Sequence, residues 1–143
     1  MPMIERQAVV SAVLVLPSAH HLTLTNLFPG ERSTRVFLNT MFWAERLSPD
    51  YDIWVDWDYW RLSNDGFFMA PSDQEGKLYQ VMSPNCYTAV VSAEAMGIIC
   101  CLFTYGQLRF QAWYQPFASR HFRLLLEYAG MHNESRHIYA AIA

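Results

Sequence analysis

No charge of either sign dominates this chain of 143 residues: 10 lysines and arginines stand against 13 aspartates and glutamates, a formal net charge of −3. A phosphate backbone ordinarily selects a basic surplus, so direct nucleic-acid binding is not expected. Cysteine is scarce as well. Cys86, Cys100 and Cys101 form an odd set without a C-x-x-C pair, and adjacent cysteines bridge each other only with strain, which argues against a disulfide framework and for a reducing cytoplasm. No apolar run approaches the roughly 18 residues that a membrane helix requires. Glycine-rich phosphate loops, G-x-S-x-G, H-E-x-x-H and Walker signatures are missing, as are internal repeats, low-complexity tracts and linkers.

What is present is apolar and aromatic. Hydrophobic residues make up 52% of the chain and aromatics 15%, a composition that folds and fills one core. The length suits a single domain over residues 1–143. Valine-rich Ala8 to Leu16 has the look of a signal-peptide core, but Ser11, the Glu5-Arg6 flank and the want of a small-x-small cleavage site favour a buried strand.

Period and punctuation predict the remaining elements. Ser18 can cap a short helix that ends at Pro29-Gly30. From about Ser33 to Leu47, Val36, Phe37, Thr40, Met41, Ala44 and Leu47 recur at helical spacing. Ile53 to Leu62 alternates, which puts Trp54, Asp56, Asp58 and Trp60 on one face of a strand. Asn64-Asp65-Gly66 tolerates positive φ and turns the chain back into Phe67–Ala70. Lys77–Met82 and Cys86–Val91 read as two further strands of an antiparallel meander. Ser92 caps a helix with Glu94 in its first turn, and Ile98 to Phe103 is apolar all round, so that helix belongs at the centre. Pro116 opens another helix, with Phe117, His121, Leu124, Leu125 and Tyr128 on one stripe and Gly130 at its end. Asn133 or Ser135 can cap a last helix to Ile142. The expected fold is α+β: a small antiparallel sheet of about four to five strands packed with four to five helices.

Candidate chemistry is sparse. Asp56 and Asp58, two apart on a strand, would stand roughly 7 Å from each other, a separation found for paired glycosidase carboxylates, and Trp54 and Trp60 flank them as a sugar platform would. The plainer reading is an outward face on which acids are solvated and tryptophans are covered by a helix or a partner. His132 and His137 are spaced H-x4-H, which does not align two metal ligands on one helical face. His121 reads as a hydrogen-bonded core histidine, and Cys100-Cys101 as packing, since burial disfavours the thiolate. Arg120, Arg123 and Arg136 read as a solvated face on which Glu127 can pair with Arg123. No catalytic, cofactor or metal residue is assigned. Residues 45–75 hold eight acids against two arginines, leaving room for a local acidic action.

Three stretches resemble the ArdB/KlcA antirestriction family: Arg46-Leu47-Ser48-Pro49-Asp50-Tyr51, Leu62 to Pro71 (LSNDGFFMAP), and Leu102-Phe103 in the helix opened by Ser92-Ala93-Glu94-Ala95-Met96-Gly97-Ile98. The likeness runs from about residue 8 to the end, with Arg46 to Pro71 as its most specific part. Similar proteins end in a short helix like Ile138–Ile142, closing on an acidic residue where this chain has Ala143. The resemblance implies a non-enzymatic protein of plasmids or other mobile elements. It would be made in the bacterial cytoplasm and lower type I restriction of unmodified DNA while largely sparing methylation. Its partner would be the type I restriction-modification complex or an associated host protein, reached directly or indirectly. Composition limits the mechanism: duplex DNA carries one charge per roughly 1.7 Å of axis, so imitating ten base pairs takes about twenty negative charges. Thirteen acids against ten bases do not provide them. Asp50, Trp54, Asp56, Asp58 and Trp60 are the candidate contact surface, because exposed tryptophans favour interfaces. The alternative is a small hydrolase or carbohydrate-binding module that uses Asp56 and Asp58.

Overall fold

Ser92 starts the helix around which the other elements assemble. Its hydroxyl accepts the Ala95 N–H at 3.1 Å, so the side chain satisfies one of the amides that a helix start leaves free. The computed structural model describes residues 9–143; in it this helix, α3, spans Ala93–Leu108 and is buried on almost every side. The all-round apolar run from Ile98 therefore lies at the centre, as its pattern requires.

Five strands, all antiparallel, divide between two small sheets. β1 (Ala12–Val15), β2 (Trp57–Leu62) and β3 (Phe67–Pro71) form one in the order β1-β2-β3, while β4 (Leu78–Met82) and β5 (Thr88–Ser92) form the other. β3 is buried throughout beneath α3. The helix and strand approach so closely that a Cβ added at Gly97 would lie 2.3 Å from the Ala70 Cβ and 2.4 Å from the Met69 carbonyl oxygen. Between β2 and β3 only Asp65 takes a positive φ, 74°. Gly66 is needed for space instead, since a Cβ there would meet Leu62 and Leu124. Asn64 completes the turn by accepting the Gly66 N–H and donating to the Leu124 carbonyl, both at 2.9 Å.

Four more helices enclose this centre: α1 (His20–Leu27), α2 (Glu31–Leu47), α4 (Gln115–Met131) and α5 (Ser135–Ile142). α2 buries Val36, Thr40, Ala44 and Leu47, and the Thr40 hydroxyl meets that of Thr104 at 3.1 Å inside the α2–α3 contact. The β4–β5 turn fixes α5: Ser83 donates to the Ala141 carbonyl, Asn85 to those of Ala140 and Ala143, and Tyr87 meets His137 Nδ1 at 2.6 Å.

Several expectations are corrected. β1 is an edge strand and not a buried one, with Val13 65% and Leu14 49% exposed; Ala8, Glu5 and Arg6 lie outside the described residues. Ser18 sits within a 3-10 turn, Pro17–Ala19, and caps nothing. α4 continues through Gly130 to Met131, and the cap residue of α5 is Glu134, without a side-chain bond. Arg123 and Glu127 form no ion pair, the one such contact among the described residues being His132–Glu94 at 3.4 Å. His121 is a core histidine, but its Nδ1 has no hydrogen-bond partner; the ring packs on Phe28 and Tyr105, with centroids 4.7 Å and 5.6 Å away.

Two predictions follow from this packing. Gly97→Ala gains helix propensity of about 1 kcal/mol yet drives its methyl into β3 backbone, so a net loss of roughly 2–4 kcal/mol is expected by denaturant unfolding; a neutral or stabilised variant would contradict the contact. Burial, with Arg120 and Arg61 nearby, lowers the His121 imidazole from 6.5 to about 4. The unfolded chain then binds a proton that the folded chain refuses, so stability falls as pH drops from 6.5 towards 4 and this loss levels off below. The difference integrates to about 3 kcal/mol. Unfolding curves of His121→Leu across that window are expected to be flatter than those of the parent.

Candidate functional site

The strand expected from Ile53 begins only at Trp57. Asp52 is the reason: its carboxylate accepts the Trp54 N–H at 2.9 Å and its carbonyl the Val55 N–H at 3.0 Å, a local turn that competes with strand pairing. Trp54 therefore projects from a turn, 85% exposed, and does not share a strand face with Asp58 and Trp60. Asp56 is exposed just ahead of β2, where its carbonyl accepts the Ser72 N–H at 2.8 Å.

The five candidate residues have different surroundings. Asp50 binds the edge of β4: its carboxylate accepts the Gln80 N–H at 2.8 Å and its carbonyl accepts from Lys77 Nζ at 2.9 Å. Asp58 accepts the Ser72 hydroxyl at 2.9 Å. Trp60 is half-buried and stacked on Phe68, with centroids 6.0 Å apart. Only Trp54 and Asp56 stand free in solvent. Asp56 and Asp58 do share an open cleft of about 520 Å³, which His20, Trp57, Tyr59 and Ser72 also line. Trp54 and Trp60 are not part of that lining.

Sequence reasoning missed a polar cluster at the start of α3. Glu94 accepts the Tyr128 hydroxyl at 2.9 Å and lies 3.4 Å from His132 Nε2, and Glu134 accepts the Ser92 N–H at 3.0 Å. The hydrogen bond from His132 holds the Glu94 carboxyl below its ordinary range. Burial, together with the Glu94 carboxylate, pushes the Tyr128 phenol up. These groups tie α4 and the start of α5 to the α3 cap, so the cluster is accounted for by packing. The first-turn position of Glu94 was the only signal of it in the sequence.

Nucleophiles are few. Burial pushes the Cys101 thiol up to about 12 and Cys100 well above its usual value, so both are protonated at neutral pH and carry no thiolate chemistry. Among the described residues, no group of three or more His, Cys, Asp or Glu side chains could hold a metal ion. No helix there is long and apolar enough to cross a membrane.

This fold occurs in known proteins. KlcA of Escherichia coli is 33% identical over 103 residues, 70% of this chain and 71% of its own length. The uncharacterized protein YafX of Escherichia coli strain K12 is 32% identical over 103 residues, 70% of this chain and 65% of its own length, so the chain spans just under two thirds of that relative. A solved chain from the KlcA and ArdB structures superimposes with a TM-score of 0.84 at 30% identity, covering 99% of this chain and 100% of the other. Those proteins are described as showing a novel fold and antirestriction activity against Type I DNA restriction systems in vivo but not in vitro. The antirestriction protein family model matches residues 50–143, and the chain belongs to that family.

Proposed function

We propose that this chain counteracts type I restriction-modification endonucleases in the bacterial cytoplasm and so protects incoming mobile DNA, acting as a binding protein and not as an enzyme. The observation that carries this reading is the match along 99% of the chain to proteins with type I antirestriction activity. Its partner is the restriction complex or a host protein associated with it. The second of these suits relatives that act in vivo but not in vitro, because purified components would then lack the intermediary.

Charge mimicry of DNA is not the mechanism we favour. The net charge of −3 is too small. Of the eight acids between residues 45 and 75, Asp50, Asp52, Asp58 and Asp73 already accept hydrogen bonds from the protein's own groups. Carboxylates used to close turns and anchor an edge are placed by the backbone and not by a phosphate spacing. The contact region we favour draws on Asp50, Trp54, Asp56, Asp58 and Trp60 and centres on the turn that leaves Trp54 and Asp56 in solvent, with Trp54 as its apolar anchor. A hydrolase or sugar-binding reading keeps one supporting observation, the cleft shared by Asp56 and Asp58. Against it, both acids come from one short segment and neither is enclosed.

The test is plating of unmodified phage on cells that carry an active type I system. Expression of this chain is expected to raise plating, and Trp54→Ala/Asp56→Asn, which alters only exposed side chains, to reduce protection roughly tenfold or more. Full protection by a folded double variant removes this face; absence of protection by the parent chain removes the antirestriction reading.

A further inference from the structure

The link from α3 to α4 borders a second surface, which shares no lining residue with the cleft of Asp56 and Asp58. Trp43 of α2, Phe103 and Gly106 of α3, Phe122 of α4 and Ile142 of α5 wall an open groove of about 470 Å³. Trp43 and Phe103 lie face to face with centroids 4.7 Å apart, and Phe110 at the rim is 83% exposed. Exposed Phe42 continues the apolar surface, 5.8 Å from Trp43. A contiguous aromatic surface of this kind marks an interaction site more often than does a scatter of single apolar residues.

Arg109 gives the groove its sign, as the only charged side chain in its lining. The guanidinium lies over Phe122 at 4.5 Å and over Phe110 at 5.2 Å. Among the described residues no carboxylate comes within 4.0 Å of it, because the single ion pair is His132–Glu94. The guanidinium N–H donors make no hydrogen bond to another described residue and so are available to a carboxylate. Arg46, over the Trp43 ring at 5.9 Å, adds a second positive charge beside the groove.

We infer that this groove docks an amphipathic, carboxylate-bearing helix of a protein partner. The partner's apolar side chains fill the space between Trp43, Phe103 and Phe122, and an adjacent Glu or Asp pairs with Arg109. The volume suits two large side chains, the pair that a helix presents at i and i+4, and the unpaired cation within an otherwise uncharged lining selects an acidic partner over a basic one. Docking here does not depend on the antirestriction reading, since it is measured without a restriction system.

The probe is a labelled synthetic helical peptide of about 15 residues, with Leu and Phe at i and i+4 flanked by Glu, compared with the same peptide carrying Gln for Glu. Anisotropy titrations are run on the parent chain, on Arg109→Gln and on Phe110→Ser, each shown to be folded by its thermal midpoint. The Glu peptide is expected to bind the parent about tenfold more tightly than the Gln peptide. Arg109→Gln should erase that preference, and Phe110→Ser should weaken both peptides. Failure of the Glu peptide to bind, or equal affinities of the two peptides for the parent, overturns the proposal. So does light scattering that shows the chain associating with itself through this groove, with association lost in both Arg109→Gln and Phe110→Ser, since the occupant is then another copy.

Discussion

β3 is an edge strand that sits under a helix instead of in water, and the rest of the molecule depends on how that edge is satisfied. The Ser72 N–H bonds the Asp56 carbonyl and the Leu62 N–H bonds that of Gly66, so in the antiparallel register the residues Phe68 and Ala70 face β2 while Phe67 and Met69 turn their backbone groups outward. A buried amide without a partner costs about 1–3 kcal/mol. α3 provides the partners. The Cys101 sulfur receives the Met69 N–H at 3.4 Å and lies 3.5 Å from the Met69 carbonyl, and the Tyr105 hydroxyl donates to the Phe67 carbonyl at 3.0 Å. Pro71 ends the strand where no N–H is required. Such bonds form only if the helix comes close, and the bare Cα of Gly97 over Ala70 allows that approach.

Sealing that edge also accounts for the titratable groups of the interior. Cys101 and Tyr105 are titratable groups, yet they are spent on β3 and buried so deeply that both stay protonated. Glu94 and His132 could pass for an acid–base pair, yet with Tyr128 they hold the cap of the same helix to α4. The polar chemistry of the interior therefore positions α3, and what is left for partners lies outside: the Trp54 turn and the groove beside Arg109.

The elements were legible where one periodicity acted alone. α2 shows its 3.6-residue stripe because one face meets α3 and the other meets water, and Ser92, Pro116 and the Asn64–Gly66 turn each fix a boundary through local chemistry. Reading failed where a side chain competed with the backbone. Asp52 bends Ile53–Val55 out of an apparent period of two, and the valine-rich pattern of β1 suits a core strand although that strand lies at the edge. The site was less legible than the fold. Asp50 and Asp58 stand in the sequence as free acids, and only the structure reveals that Gln80 and Ser72 engage them. Arg109 and Phe110 fall in a link without periodicity, so their proximity to Trp43 and Phe122, contributed by other helices, left no local trace.

Weak net charge has a consequence for how such a chain can recognise anything. With a net charge of only −3, long-range steering of the molecule as a whole is slight and is screened further beyond about 8–10 Å at physiological salt. Selectivity then rests on short-range contact, and the three most exposed aromatic side chains among the described residues are Trp54, Phe110 and Trp113. All three lie in turns and links, where a large ring can stand clear of the core without breaking a helix stripe or a strand alternation. An acidic rim around Trp54 and a positive one beside Phe110 then assign opposite signs to two anchors of the same kind. By this logic the charges choose which segment may dock at each anchor, while desolvation of the ring contributes most of the affinity.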